Sequence, residues 1–283
     1  MSQTPNDRAQ AMPPAQERAR RLHALGSEVF DVLVIGAGVG GACTAWDAAQ
    51  RGLKVALIDR ADFGGSTSAH SLKVLHGGIR YLQHLDITRL RESCAERAAF
   101  LAMAPHLTRP MPFALPTFGL GMRGKWPLRA AFTLLNIFTA GRNAGIEDPR
   151  QQIPAPFMLG KAEFLQRFPA FDSTGLTGAG VFYDGQIENP PRLVFSIVRS
   201  AQTESALVLN HVGARRLLVR NGAVEGVSAV DELTGEPFDI RARLVANMSG
   251  PYAPVFVQAS GLPPLNVPLS RDMAFVIKRP ILT

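Results

Sequence analysis

The sequence predicts an α/β fold, and three patterns lead to that prediction. The run Phe30–Ile35 is continuously apolar and rich in β-branched residues, which is typical of a parallel strand buried on both faces. A Gly-rich turn, a helical stretch over 42–50 and a second apolar run over 54–58 follow directly. Much later, alternating runs within 213–241 are separated by Asn-Gly and Thr-Gly pairs, which predicts antiparallel strands joined by tight turns.

The turn after the first strand carries the spacing Gly36-x-Gly38-x-x-Gly41. Gly36 permits the tight turn, Gly38 lets the backbone approach a pyrophosphate, and Gly41 allows close packing of helix on strand. Asp59 ends the second strand, where it can accept a hydrogen bond from a ribose hydroxyl. Residues 30–59 are therefore predicted to form a Rossmann-like dinucleotide-binding unit; a Gly-rich turn in an unrelated α/β fold is the alternative.

The segment after Asp59 distinguishes between two dinucleotide cofactors. A nicotinamide-binding half-domain would continue with another strand and helix, but residues 60–84 are instead rich in glycine and small polar residues. Such a segment can lie along a long cofactor and offer it hydroxyl and N–H groups. This favours FAD.

The remaining elements follow from end signals and periodicity. Asp86 is placed to cap a helix that ends at Pro105. The further predicted elements are helices over 89–104, 128–140 and 192–203, a strand over 206–210, alternating runs over 213–220, 223–231 and 237–241, and a buried strand over 243–250.

Together these elements predict an FAD-binding domain in two parts with a β-meander and an inserted cap that contacts substrate. The predicted parts are a mobile tail (1–28), the first FAD-binding part (29–104), the cap or substrate region (105–189), the second FAD-binding part (190–260), and the start of a truncated C-terminal cap (261–283).

Composition narrows the class of protein. The net charge of +7 suits a phosphorylated substrate or an acidic lipid surface, but no dense Lys/Arg run with interleaved aromatics suggests nucleic-acid binding.

Cys43 and Cys94 show neither disulfide nor metal-ligand spacing, so we expect no metal and a reducing, cytoplasmic location. No apolar run approaches the roughly 20 residues needed to cross a bilayer. The oligomeric state is not predicted.

Four stretches of the chain carry a family resemblance. They are Ser66–Leu82, with its His-Gly-Gly-Ile-Arg-Tyr element, 104–113, 191–194 and Ala246–Tyr252. In this order they resemble the FAD-dependent glycerol-3-phosphate dehydrogenases, which belong to the amine- and alcohol-oxidising flavoproteins. The resemblance covers residues 30 to about 255 and implies oxidation of sn-glycerol 3-phosphate to dihydroxyacetone phosphate, by hydride transfer to flavin N5 with electrons passed to membrane quinone. Members of the family extend beyond the length of this chain.

The resemblance also implies roles for individual residues. Ser68, Ser71 and Lys73 would lie along FAD; His76, Gly77 and Gly78 would lie near the flavin; Arg80 and Tyr81 would bind the substrate phosphate; and Gly250 would end a strand beside the cofactor, where a side chain would collide. A guanidinium suits phosphate because it binds two oxygens at once and stays charged. Two alternatives stay open: His76 as a proton acceptor or a turn-positioning residue, and Arg80 as a phosphate ligand or an ordinary ion-pair partner.

Several residues depart from the family pattern, namely Ser66, Ala69, His70 and Leu72, and a Gly-rich run is absent near 266–280. A related alcohol or phosphorylated polyol is therefore an alternative substrate. An oxidase of the same fold acting on an amine or hydroxy acid, or a non-catalytic FAD-binding remnant, are alternative functions.

One basic and apolar stretch suggests a further partner. Residues 123–142 have an apolar centre, basic ends and a tryptophan. They could rest on an anionic membrane from the cytoplasmic side, or pack as a helix inside the cap.

Overall fold

Seven α-helices and ten strands form the described part of the computed structural model, which comprises residues 13–270 and Met273. The helices are α1 (Pro14–Ser27), α2 (Val39–Gln50), α3 (Ile87–Met103), α4 (Lys125–Phe138), α5 (Lys161–Arg167), α6 (Pro190–Thr203) and α7 (Ala253–Ala259). The strands are β1 (Val29–Ile35), β2 (Val55–Ile58), β3 (Val74–Leu75), β4 (Thr108–Phe118), β5 (Phe157–Gly160), β6 (Leu176–Ile187), β7 (Leu207–Leu209), β8 (Val212–Arg220), β9 (Ala223–Asp231) and β10 (Pro237–Asn247).

The chain divides into two compact units. Unit 1 contains the described residues of 13–70 and 190–270, and unit 2 contains residues 71–189. The compact units change at 70/71, whereas the predicted boundary between the first FAD-binding part and the cap, at 104/105, stays a prediction. The physical reason for the change at 70/71 is strand pairing and packing: β3 pairs with β6, and α3 contacts β4 and β6.

Unit 1 is built on a six-stranded sheet in the order β7-β2-β1-β10-β9-β8. β1 lies in its middle and pairs in parallel with β2 and β10, and α2 connects β1 to β2. The predicted strand–helix–strand unit is therefore confirmed. Helix α6 packs against α2, and buried alanines on α2 keep the two helices close.

The predicted meander is confirmed as β8, β9 and β10, which pair antiparallel. Asn221 and Gly222 both have positive φ, 52° and 80°, as the tight turn between β8 and β9 requires. The runs predicted separately at 237–241 and 243–250 form one strand, β10, which ends at Asn247. Its first half pairs antiparallel with β9 and its second half in parallel with β1, so a single strand joins the meander to the parallel sheet.

Within the part of the predicted mobile tail that the structure describes, Pro14–Ser27 forms helix α1, which packs on unit 1. Residues 1–12 lie outside the described residues. Leu25 is fully buried in the core below the sheet. The Arg18 guanidinium donates to the carbonyl oxygens of Asn210 and His211 and to the Asp231 carboxylate, at 2.9, 3.2 and 2.6 Å. These bonds fix the helix against the loop between β7 and β8.

Unit 2 contains a smaller antiparallel sheet in the order β3-β6-β4, with β5 also paired to β6. Sequence patterns did not predict β4, because Pro110, Pro112 and Pro116 interrupt it. These prolines are an even number of residues apart, so their nitrogens all point to the same side of the strand. β4 lies at the sheet edge, where a strand tolerates residues without an N–H group on its unpaired side.

The predicted start of a C-terminal cap, 261–283, lies largely outside the described residues. Among those that are described, none of the helices combines the length and apolar character needed to cross a membrane.

We expect Arg18→Ala to lower the free energy of unfolding by about 2–3 kcal/mol, because it leaves the buried Asp231 carboxylate without its counter-charge. Arg20→Ala, on the same helix, is the matched control. Arg20 is 67% exposed and its side chain pairs with Glu17 on the same helix, so its loss should cost much less than the loss of Arg18. Urea unfolding followed by circular dichroism measures both values, and equal losses would contradict the assigned role of Arg18.

The stability loss caused by Arg18→Ala depends on pH in a direction that can be predicted. Burial tends to raise the pKa of Asp231, but hydrogen bonds from Arg18, Leu233 and Thr234 outweigh burial and lower it below the usual range. A carboxyl with a lowered pKa in the folded state stabilises the protein above its unfolded pKa of about 3.9, and that stabilisation is lost as the pH falls through the folded pKa. The stability difference between wild type and Arg18→Ala should therefore be constant near neutral pH and shrink below about pH 4.

Candidate functional site

The end of β1 and the start of α2 meet at the Gly-rich turn of unit 1. Gly36 has φ of +95°, and its N–H donates to the carbonyl oxygen of Ile58 at 2.8 Å. A Cβ at this position would lie 2.7 Å from the carbonyl oxygen of Met248, at the end of β10. Both the backbone angle and the close approach of β10 therefore require glycine.

Gly41 brings α2 directly onto this turn. A Cβ on Gly41 would overlap the carbonyl oxygen of Gly36, whereas a Cβ on Gly40 would meet nothing within 4 Å. Gly38 is the N-cap, and the N–H of Val39 in the first turn donates to the Ser68 hydroxyl at 3.0 Å. The amino-terminal end of α2 thus carries N–H groups and the positive end of the helix dipole, the combination that binds phosphate.

Asp59 lies at the end of β2, as predicted, and its carboxylate already has two backbone partners. It accepts hydrogen bonds from the N–H groups of Ala37 at 2.7 Å and Ala61 at 2.9 Å. These bonds join the Gly-rich turn to the loop after β2. Each carboxylate oxygen can accept more than one hydrogen bond, so a ribose hydroxyl remains compatible with this arrangement.

Arg60 and Tyr252 form a contact that sequence patterns did not predict. The Arg60 guanidinium lies 4.3 Å from the centroid of the Tyr252 ring, a cation–π geometry. Each residue lies next to a predicted one, Asp59 or Ala246–Tyr252, but only the fold brings them together.

A cavity of about 1170 Å³ lies in unit 1 beside these residues. Gly36, Gly38, Asp59, Ser68 and Gly250, all predicted to bind cofactor, line it. Other lining residues are Val39, Arg60, Val212, Arg215, Ser249 and Tyr252. The glycines that admit no side chain, the helix end and the Asp59 carboxylate fit a dinucleotide.

The position of Gly250 needs a correction. It does not end a strand, because β10 stops at Asn247 and Gly250 begins a short 3-10 turn. A Cβ there would meet no protein atom within 4 Å, but its φ of +58° favours glycine.

The remaining predicted residues belong to unit 2. Ser71 and Lys73 precede β3, and Lys73 has φ of +60° while its carbonyl oxygen accepts the N–H of Ile187 at 2.7 Å. A role for Ser71 and Lys73 along FAD stays a prediction.

The turn His76-Gly77-Gly78, called here the His-Gly-Gly turn, is held on both sides. The Gly77 N–H donates to Oδ1 of Asp184 at 2.7 Å, and the Cys94 thiol donates to the Gly77 carbonyl oxygen at 3.2 Å. Burial raises the pKa of Cys94, which keeps the thiol protonated and able to donate. Gly78 has φ of +77°, and a Cβ there would lie 2.7 Å from the Tyr81 ring.

Arg80 and Tyr81 follow on a 3-10 helix, Ile79–His84, and they differ in environment. Tyr81 packs against the cluster of Leu82, Leu90 and Cys94. Arg80 is exposed, and within the described residues it has no ion-pair or hydrogen-bond partner. This geometry does not favour the alternative of Arg80 as an ordinary ion-pair residue.

A buried ion pair under the His-Gly-Gly turn was missed by the sequence analysis. Arg97 on α3 and Asp184 on β6 lie 2.5 Å apart, each only 5% exposed. Nδ1 of His76 lies 3.5 Å from Oδ2 of the same carboxylate. One signal was available: Asp184 is the only acid within an otherwise uncharged run, Gly175–Ile187.

The fold and the cavity define a dinucleotide-binding α/β protein with a two-part nucleotide domain. A family model described as FAD dependent oxidoreductase (DAO) matches residues 31–281. The chain belongs to this family, and the predicted Rossmann-like fold and FAD as cofactor are confirmed.

Known relatives carry more specific names. The chain is 34% identical over 236 residues to a glycerol-3-phosphate dehydrogenase of Synechocystis, covering 82% of this chain and 41% of the relative. It is 37% identical over 255 residues to the mitochondrial glycerol-3-phosphate dehydrogenase of Bos taurus, covering 85% and 33%. The crystal structure of the Bacillus halodurans glycerol-3-phosphate dehydrogenase with FAD superimposes with a TM-score of 0.63 at 26% identity, covering 87% of this chain and 39% of that one. The chain thus spans about a third to two fifths of the length of these relatives.

We expect Gly41→Ala to abolish FAD binding, because the added methyl group cannot fit beside the Gly36 carbonyl and must push α2 away from the turn. Gly40→Ala is the matched control, since its methyl group meets no protein atom within 4 Å and alanine favours the helix by about 1 kcal/mol. The flavin absorbance retained after gel filtration measures the result. Retention of flavin by Gly41→Ala at the level of Gly40→Ala would contradict the assigned geometry.

Proposed function

We propose that the protein is an FAD-dependent dehydrogenase that oxidises sn-glycerol 3-phosphate to dihydroxyacetone phosphate. The observation that carries the proposal is the glycine-lined cavity of unit 1, which fits a dinucleotide. In unit 2, Arg80 beside the His-Gly-Gly turn is exposed and has no ion-pair partner among the described residues. Family membership and the names of the relatives support it.

Unit 1 holds FAD in this proposal. The N-terminal end of α2 binds the pyrophosphate, with Gly36, Gly38 and Gly41 providing the close approach, and Asp59 binds the ribose. Ser68 and Gly250 also line the cavity, and we assign them to cofactor binding, together with Ser71, Lys73, Gly77 and Gly78 of unit 2. When bound, FAD supplies a two-electron acceptor that takes the hydride from C2–H of the substrate at flavin N5.

The exposed groups of the His-Gly-Gly turn and the following 3-10 helix act on the substrate. Arg80 binds the phosphate through its guanidinium, which forms no ion pair with any described residue. The phenol of Tyr81 contributes a hydrogen bond. His76 accepts the proton of the C2 hydroxyl as the hydride leaves C2. The alcohol thereby loses one hydride and one proton and becomes a ketone.

The electrons then pass to a quinone, and a membrane surface is the proposed partner. Helix α4 supports this proposal because, among the described residues, one of its faces is packed and the other is exposed: Phe132 is buried against Gly180 of β6. Trp126 is 59% exposed, with Lys125 and Arg129 near its ring. A peripheral location on the cytoplasmic face of an anionic membrane suits such a surface.

We expect glycerol 3-phosphate to bleach the flavin of the full-length protein under anaerobic conditions. Glycine, proline and lactate serve as controls for amine and hydroxy-acid substrates, and bleaching by one of these instead would replace the proposed substrate. Bound flavin that no compound reduces would indicate a non-catalytic FAD-binding protein.

Arg80→Ala should raise the KM for glycerol 3-phosphate about 30-fold, since a charge-assisted hydrogen bond contributes about 2 kcal/mol. Oxidation of glycerol, which lacks the phosphate, should be unaffected by the change. Arg89→Ala is the matched control, because Arg89 is similarly exposed and pairs only with Asp86. An equal change in KM for both substrates would exclude a phosphate contact.

Trp126→Glu should reduce co-sedimentation with vesicles of anionic phospholipid, and added salt should weaken the binding of the wild type. Phe195→Glu is the control, because Phe195 is an aromatic of similar exposure on a helix of unit 1. Equal binding of all three proteins would contradict a role for α4 at the membrane.

A further inference from the structure

We propose that Asp184 is a positioning residue that fixes the tautomer of His76, with its Nδ1 protonated and its Nε2 free to accept a proton. The inference rests on the proposed function of His76, and it adds Asp184 and Arg97 to the groups on which the reaction depends.

The two oxygens of the Asp184 carboxylate have different partners. Oδ1 accepts the Gly77 N–H at 2.7 Å and the Arg97 Nη1 at 2.5 Å. Oδ2 faces Nδ1 of His76 at 3.5 Å. This distance is longer than a well-formed hydrogen bond, but catalytic hydrogen bonds are often long before substrate binds and shorten in the complex.

A buried arginine holds one side of the carboxylate. Arg97 is as buried as Asp184, and its guanidinium also donates to the carbonyl oxygen of Tyr183 at 3.3 Å. A carboxylate oxygen accepts hydrogen bonds, so a bond between Oδ2 and the imidazole nitrogen facing it requires the proton on that nitrogen. A neutral imidazole has one proton, and Nε2 is then left with its lone pair.

The different exposure of Asp184 and His76 fits a positioning role for the acid and a role on substrate for the histidine. Asp184 is almost completely buried, whereas the His76 side chain is 67% exposed. The acid therefore cannot act on substrate directly, but the ring it orients can. Histidines that ligate metals or act as bases are commonly held in one tautomer by a carboxylate on the other nitrogen.

The network leaves little freedom for the turn itself. A Cβ on Gly77 would overlap the Arg97 guanidinium, so only glycine permits the ion pair to lie beneath the turn. Asp184 binds the Gly77 N–H and faces the His76 ring, so one carboxylate is placed to set both the backbone of the turn and the direction of the imidazole.

The first test is the tautomer of His76 in the 283-residue chain, measured by long-range ¹H–¹⁵N NMR at a pH where imidazoles are neutral. The His76 signals are assigned with His76→Gln. We expect the Nδ1–H form in the wild type. Asp184→Asn should shift His76 towards the Nε2–H form, because the amide nitrogen can donate to Nδ1. Asp231→Asn, which changes an equally buried carboxylate of unit 1, should leave the tautomer unchanged.

Two results would overturn the proposal: a wild-type His76 in the Nε2–H form, or the same tautomer in wild type and Asp184→Asn. The wild-type spectrum alone can overturn the proposal, even where Asp184→Asn does not fold. The measurement needs no substrate, so it is independent of the proposed reaction.

The second test is flavin reduction in the full-length protein carrying FAD. Asp184→Asn should slow bleaching by glycerol 3-phosphate about 100-fold with little change in KM, as expected for impaired proton acceptance. An unchanged rate would exclude the positioning role. If wild type itself is not bleached while the tautomers behave as expected, the proposed substrate fails and the role of Asp184 stands.

Discussion

The absence of any space between Gly36 and Gly41 is the constraint on which unit 1 depends. The carbonyl oxygen of Gly36 occupies the volume that a side chain on Gly41 would need, and the end of β10 closes the other side of Gly36. Only two residues, Ala37 and Gly38, separate the turn at Gly36 from the start of α2 at Val39. The amino-terminal end of α2 consequently lines the cavity, and the Asp59 carboxylate can reach the N–H of Ala37.

Local patterns predicted the part of the fold in which neighbouring residues determine the structure. Strand β1, the Gly-rich turn, α2 and β2 follow one another within residues 29–58, and Asn221-Gly222 specifies its own turn. Strand β4 and helix α1 could not be predicted in this way. The prolines of β4 are acceptable only because the strand lies at a sheet edge, and α1 is held by Arg18 contacts to residues almost 200 positions away.

The candidate site shows the same division. The glycines and Asp59 follow from a spacing that is specific for dinucleotides, and the cavity is lined by most of them. The Arg60–Tyr252 contact and the Arg97–Asp184 pair join residues far apart in the chain, which no local pattern contains. Glycine at position 250 is likewise favoured by its positive φ, in the turn that follows the end of β10 at Asn247.

The two buried arginine–aspartate pairs differ in a way that separates structure from function. Burying a charge is costly, and apolar side chains often stabilise a core equally well. Asp231 meets this cost by accepting bonds from Arg18, Leu233 and Thr234, so both of its oxygens serve the fold. Asp184 commits one oxygen to Arg97 and Gly77 and turns the other towards an exposed imidazole. An apolar residue at position 184 could fill the same space, but it could hold neither the turn nor the histidine. We therefore explain the buried acid at position 184 by the turn that it holds and by the proposed orientation of His76.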